Sequence, residues 1–270
     1  MPVSVKTYAQ VDEAARALSG SRTARYLGGG TLIMRAVNSG DQSFDTIIRV
    51  TDPGLRQIQQ QVDVLTIGAG VTMAQIIASR DLAFLAPVAR AVGGPAIRNM
   101  ATVGGNLFAA SPYGDFAAAL LALDAKVIPT GGSPVAIDDF LNARDREPRT
   151  IVAAVQLSRP RDSTAFRFVK VSRVKPKGIS ILSIAAHLPT QGGRISNARI
   201  AYGAMGNRPV RALAVERALE GRTLDEAGIA QALGVATEGL NPPTDPIATE
   251  WYRRQVAPVH LKRLLLGYRR

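Results

Sequence analysis

Apolar and polar positions along this chain switch between strand and helix periods, and the switches divide it into elements. Val3 and Val5 alternate with polar residues and predict a short strand. Residues 11–18 follow a helical period with Asp12 and Glu13 in the first turn, where carboxylates complement the helix dipole. Residues 24–27, apolar but for Arg25, run into three glycines, after which 32–37 read as helix. The β-branched run 46–50 predicts a buried strand, and Asp52-Pro53-Gly54 a turn. Residues 55–58 and 62–69 read as two strands of a meander, and Thr72 as the cap of a helix through Ala78. A helix is expected over 82–92, ended by Gly93-Gly94-Pro95. Residues 101–107 are broken by glycine and read as irregular. Asp115 is placed to cap an apolar helix through Leu123, followed by strands at 125–129 and 151–157 and a linker at 158–163.

The second half changes character. Three strands are expected at 165–171, 179–188 and 195–202, with a hairpin turn at Gln191-Gly192-Gly193. Helices follow at 210–219, ended by Gly221, at 224–239, capped by Thr223, and at 247–266, where Pro258 is expected to kink or interrupt the helix. There is no internal repeat. The pattern predicts an α+β chain: a first domain over 1–160, with subdomains of about 1–53 and 54–160, and a C-terminal α+β domain over 161–270 built from a three-stranded antiparallel sheet and three helices.

Composition narrows the chemistry. A chain of 270 residues, 46% hydrophobic and 20% charged, is ordinary for a soluble protein, and no apolar run is long enough to span a bilayer. The start, Met1-Pro2-Val3-Ser4-Val5-Lys6, lacks the apolar stretch of a signal peptide, so a cytoplasmic location is expected, export with a signal-bearing partner being the alternative. With no cysteine, the chain holds no disulfide, thiolate metal site or Cys-ligated cluster. His187 lies in an apolar run and reads as a core or edge-strand residue, and His260 as a surface or interface residue, so no metal site is expected. The net charge of +12 raises the question of nucleic acid. The arginines are dispersed, aromatics make up only 5%, and no nucleic-acid motif is present, so no nucleic-acid partner is expected. The denser basic stretches, 159–177 and 253–270, read instead as a solvated face or a docking surface for an acidic partner, in the latter case with Arg253 and Arg254 as contact residues.

The candidate chemistry sits in two glycine-rich segments. Backbone N–H groups reach a pyrophosphate only where no side chain intervenes, which Gly28-Gly29-Gly30 satisfies. Thr31 adds a hydroxyl, the helix behind it adds its dipole, and a side chain at Gly29 is expected to block the phosphates. The spacing is not G-x-G-x-x-G and no βαβαβ series follows, which disfavours a Rossmann fold. A plain strand-to-helix turn remains the alternative for this loop alone. Thr102-Val103-Gly104-Gly105-Asn106 offers a second set of bare amides with a hydroxyl and a carboxamide. Asp115 follows, a carboxylate suited to ribose hydroxyls as well as to a helix cap. No paired carboxylates or Ser/His/Asp grouping calls for a catalytic acid or base, and no catalytic residue is assigned.

The run Arg98-Asn99-Met100-Ala101-Thr102-Val103-Gly104-Gly105-Asn106-Leu107, continued by Ala110-Ser111-Pro112, Asp115 and Leu123-Asp124-Ala125, resembles the FAD-binding medium subunit of the molybdenum hydroxylases, the family of carbon monoxide dehydrogenase, xanthine dehydrogenase and bacterial aldehyde oxidoreductases. Gly28-Gly29-Gly30-Thr31-Leu32, Ile67-Gly68-Ala69-Gly70-Val71-Thr72, Lys170-Val171-Ser172-Arg173, Ala201-Tyr202-Gly203, Pro209-Val210-Arg211-Ala212 and Tyr252-Arg253-Arg254 are similar to further motifs of that family, so the resemblance spans nearly the whole chain. It implies a PCMH-type FAD domain in two subdomains, then a small α+β domain. It implies FAD held at its pyrophosphate by Tyr26, Leu27, Gly28, Gly29, Gly30, Thr31, Leu32 and Ile33, and by Ala101, Thr102, Val103, Gly104, Gly105 and Asn106. It also implies Asp115 on the adenosine ribose, Val92 and Val152 as apolar neighbours of the cofactor, and Lys170 beside the flavin, where a cation favours the reduced, anionic form. The family's usual Asp after the first loop's Thr is Leu32 here. The implied role is an oxidoreductase subunit of a hetero-oligomer. A large molybdopterin subunit and a small subunit with two [2Fe–2S] clusters would be its partners, and NAD+, O2, a quinone or another external acceptor would take the electrons. The rival readings are a stand-alone FAD oxidoreductase like UDP-N-acetylenolpyruvoylglucosamine reductase, and a structural partner without flavin.

Overall fold

The structure, a computed structural model, describes residues 3–146, 149–174 and 178–268. Its first sheet is formed by β1 (Ser4–Tyr8), β2 (Ala24–Leu27) and β3 (Thr46–Val50), parallel and in the order β1-β3-β2. Helix α1 (Val11–Ser19) crosses between β1 and β2, and α2 (Ile33–Asn38) between β2 and β3. Ala14 and Leu18 of α1 bury against Ala24 and Ile48, joined by Ile151 from much later in the chain.

A second, five-stranded sheet contains β4 (Ile58–Gln61), β5 (Val64–Gly68), β6 (Lys126–Pro129), β7 (Val135–Ala136) and β8 (Val152–Ser158). All its pairs are antiparallel, in the order β4-β5-β8-β6-β7. Between β5 and β6 run α3 (Met73–Ala78), α4 (Ala86–Ala91), α5 (Pro95–Met100), α6 (Val103–Leu107) and α7 (Asp115–Ala122); α8 (Ile137–Ala143) follows β7. Thr72 caps α3 in a full capping box with Gln75. The region 101–107, expected to be irregular, is helical from Val103, because Thr102 caps it with its hydroxyl on the Gly105 amide at 3.1 Å. The helix expected over 82–92 is confined to α4 behind a short 3-10 turn, and α8 and β7 were not expected.

The third sheet holds β9 (Phe166–Ser172), β10 (Ser180–His187), β13 (Arg199–Gly203) and β14 (Val210–Arg211), antiparallel in the order β14-β13-β10-β9; β11 (Thr190–Gln191) and β12 (Arg194–Ile195) form a separate hairpin with Gly192 and Gly193 at its turn. The three long strands match the expected sheet, and β14 adds a short fourth where a helix was expected to begin. Helices α9 (Leu213–Leu219), α10 (Glu226–Gly234) and α11 (Glu250–Leu265) cover one face. Asp225 rather than Thr223 caps α10, accepting from the Gly228 amide at 2.8 Å. Helix α11 runs through Pro258 without interruption.

Helix α7 ties the halves together. Every residue from Asp115 to Ala122 is buried, as befits a helix apolar on all sides. It packs on α4 and α6 of the first half and on β10 and β13 of the second. Its alanines let the third sheet approach closely, so Ala185 and Ala201 join the core of the second sheet, while Leu182, Ile184, Ile200 and Tyr202 on the opposite face pack under α9–α11.

Candidate functional site

A cleft of about 630 Å³ lies between the first sheet, the helices and loops from α5 to the start of α7, and the third sheet, within the range of small-molecule and cofactor sites. The loop from β2 into α2 forms one lip. Alternation along β2 sends Tyr26 into the cleft and Leu27 the other way, toward a separate groove with Val5, Met34 and Val37. Burial pushes the Tyr26 phenol up to about 12. Gly28, Gly29, Gly30, Thr31, Leu32 and Ile33 all line the cleft. Gly30 has φ +77°, a conformation that glycine adopts without strain. Among the described residues, the backbone N–H groups of Gly29, Gly30, Thr31 and Leu32 donate to no acceptor. This lip presents a cradle of free donors at the start of a helix.

The opposite lip is different. Ala101, Thr102, Gly104, Gly105 and Asn106 line the cleft, but all their amides except that of Thr102 are spent inside the protein. The amide of Ala101 donates to Ile97, Gly104 to Ala69 at 2.8 Å, Gly105 to the Thr102 hydroxyl, and Asn106 to the Thr102 carbonyl. The expectation of a second set of bare amides is therefore corrected for Val103, Gly104, Gly105 and Asn106: the turns of α6 and its contacts with Ala69 and Val71 use them. Gly104 is required by packing, since a Cβ there would stand 2.8 Å from that of Ala69. Val103 is fully buried in the core and does not reach the cleft. What this lip offers a ligand is the Asn106 side chain, only 8% exposed, whose carboxamide has no partner among the described residues.

The two lips touch. A Cβ on Gly29 would lie 1.8 Å from the Met100 carbonyl oxygen, and one on Gly28 would lie 3.1 Å from the Thr102 hydroxyl. Gly29 thus lets the loops meet, and a side chain there collides with backbone before it can obstruct any ligand.

At one end of the cleft the Asp115 carboxylate, 6% exposed, receives the Lys170 ammonium at 2.9 Å and the Ser180 hydroxyl at 2.7 Å. Lys170 also donates to the Ala91 carbonyl at 2.9 Å. Asp115 does not cap α7: Gly114, at φ +93°, is the cap residue, and the carboxylate is committed to β9 and β10. The roles expected for Asp115 and Lys170, at opposite ends of a dinucleotide, fall instead at one spot. Val92 lines this end, whereas Val152 is buried in the core of the second sheet and does not. Ser180, Arg25, Arg35, Phe108, Tyr113 and Arg144 line the cleft without any motif to announce them; they arrive from separate elements by folding alone. Buried Arg144 donates to the Leu107 carbonyl and lies 3.6 Å from Asp145.

The basic stretch at the C-terminus is corrected too. Arg253 is fully buried, donating to Ile181 and Ala204 carbonyls and gripping both Asp245 oxygens at 2.8 Å, so it is a core residue and not a docking contact. Arg254 is tied to Glu250 and to the Thr237 and Leu240 carbonyls. Residues 175–177 and 269–270 of the basic stretches lie outside the described residues. No group of acidic and histidine side chains able to hold a metal occurs among the described residues, and none of their helices is long and apolar enough to cross a membrane.

Two families match different parts of this chain. Residues 2–160 match the FAD binding domain in molybdopterin dehydrogenase, and residues 167–267 match the CO dehydrogenase flavoprotein C-terminal domain. The glyceraldehyde dehydrogenase medium chain of Sulfolobus acidocaldarius is 26% identical, with 92% of each chain covered. The xanthine dehydrogenase FAD-binding subunit of Escherichia coli O157:H7 is 27% identical over 80% of this chain and 79% of its own. In fold, the chain is similar to a carbon monoxide dehydrogenase chain from Hydrogenophaga pseudoflava, with a TM-score of 0.91, 23% identity, and 98% and 96% of the two chains covered. The free amide cradle, the carboxamide facing it and the family match over both halves lead to one conclusion: the chain belongs to the FAD-binding subunits of the molybdopterin dehydrogenases, as an oxidoreductase subunit.

Proposed function

We propose that this chain carries FAD as the electron-transfer subunit of a multi-subunit, cytoplasmic molybdenum hydroxylase. In that assembly it takes electrons from the [2Fe–2S] clusters of a small partner subunit, which is fed by a molybdopterin-bearing large subunit. It delivers them to an external acceptor such as NAD+, O2 or a quinone. When bound, FAD supplies the exchange between one-electron and two-electron chemistry.

The observation that carries this reading is the row of unpaired amides from Gly29 to Leu32 at the head of α2. Free N–H groups beside a helix start suit phosphate oxygens. Asn106, buried opposite with an unused carboxamide, adds a donor and an acceptor. The residues present therefore fit a dinucleotide. The rest of the cleft supplies position and field: the neutral Asp115–Lys170 pair fixes one end, and Tyr26 and Phe108 give apolar surface. None of these side chains is arranged as a nucleophile with a base, which fits a subunit that relays electrons and leaves bond-making to its partners.

Pull-down of a tagged chain from its native host, with identification of co-purifying proteins, tests the relay. A molybdopterin-binding chain and an iron–sulfur chain are the expected companions. A yellow protein that purifies alone would replace the relay reading with that of a self-contained flavoenzyme.

A further inference from the structure

Residues 3–51 are joined to the rest of the molecule by few polar contacts. Among the described residues, one hydrogen bond links them to residues 57–268: Arg35 Nη1 donates to the Tyr113 hydroxyl at 2.8 Å. The seam also includes the approach of Gly29 to the Met100–Ala101 backbone and of Gly28 to the Thr102 hydroxyl and Gly105, and the insertion of Ile151 beside Ala14, Leu18, Ala24 and Ile48. The cleft opens along the same seam.

Arg35 stands on α2, directly behind the free amides, and Tyr113 stands two residues before Asp115. Both side chains line the cleft. Their bond therefore ties the lip that bears the amide cradle to the lip that bears the Asp115–Lys170 pair. Arg35 is exposed and forms no ion pair among the described residues, and the bond with Tyr113 anchors neither side chain in a core. A cross-cleft bond of this kind adds little to the fold of either subdomain. It adds to the closed arrangement of the two, which is the arrangement that a ligand touching both lips requires.

We propose that the Arg35–Tyr113 pair is a strap across the cleft, and that the first subdomain acts as a lid whose opening sets the rate at which the bound dinucleotide leaves. The inference rests on the FAD reading of the cleft. Arg35 and Tyr113 are positioning residues: the strap acts by holding the lips together rather than by chemistry.

The test is the release rate of FAD from the purified flavoprotein, read by recovery of free-flavin fluorescence on dilution. Wild type is compared with Tyr113→Phe, Arg35→Gln and the double variant, and the melting temperature of each flavin-free protein serves as control. Tyr113→Phe keeps the ring and removes only the hydroxyl. Each single variant is expected to speed release roughly three- to tenfold, the scale of one lost hydrogen bond. The double variant is expected to match the singles, because both remove the same interaction. Flavin-free melting temperatures are expected to stay put. Release rates equal to wild type, or single effects that multiply in the double variant, would overturn the strap. A wild-type protein that binds no flavin would overturn the cofactor reading itself and the strap with it.

Discussion

Gly29 and Arg253 show how far a residue's identity in the sequence can stand from its role in the fold. Both belong to motifs, and both do structural service first. A methyl group at Gly29 must displace the Met100 carbonyl, 1.8 Å away, which forces the lips of the cleft apart. Gly29→Ala is expected to cost about 1–3 kcal/mol through overpacking and to lower flavin content, as read by thermal melting and by the ratio of visible to ultraviolet absorbance. Arg253 holds Asp245 and two carbonyls from full burial. Arg253→Ala is expected to cost about 3–5 kcal/mol in urea unfolding, because Asp245 loses its partner. Arg254→Ala, at a partly exposed ion pair, is expected to cost under about 1 kcal/mol. Equal losses at the two positions would contradict the assignment. The sequence marks both arginines as basic and cannot say which faces inward. It marks the glycines as permissive without telling a ligand's approach from a loop's. The cleft-lining Ser180 and Tyr113 carry no signal at all, since their importance comes from Asp115 and Arg35, 65 and 78 residues away.

At the scale of elements, strands with clear alternation or β-branched runs are legible: β2 and β3 fall at their expected residues, and β8 and β10 within a residue or so. The misreadings cluster where capping decides. Thr102 turns a glycine-broken stretch into α6, Asp225 displaces Thr223, and Gly114 releases Asp115 from the cap to bind β9 and β10. Each depends on which of several eligible side chains wins a local hydrogen bond, and tertiary partners settle that. Strand β10 also carries a testable pH response. Burial pushes the His187 imidazole below its ordinary value of 6.5, and Arg199 beside it pushes the same way. The folded protein therefore takes up this proton at lower pH than the unfolded chain does. The stability that follows is complete above the unfolded value and is lost as pH falls through it toward the folded one. Urea midpoints are expected to fall from pH 7 to pH 5 in wild type, with a shallower slope in His187→Gln. Identical slopes would remove His187 from the account.

For the whole molecule, the decisive fact is that the first sheet, the α5–α7 region and the third sheet converge on one cleft, with α7 buried between the two halves. Much of that architecture follows from the order of patterns along the chain: a parallel strand–helix–strand opening, a meander, and a second set of strands followed by helices. The convergence itself is not legible. It depends on Ile151 reaching the first sheet and on Ala185 and Ala201 reaching the core of the second. Pairing Arg253, Arg199, Arg208 and Arg211 with carboxylates uses equal numbers of both charges, so the net excess of +12 rests on the other basic side chains. The central claim is that the cleft holds FAD. The most direct measurement is the visible spectrum of the purified chain, with the flavin then released by acid and identified. A flavin spectrum and stoichiometric FAD are expected. A colourless protein that stays colourless when incubated with FAD, with its fold intact, would contradict that claim.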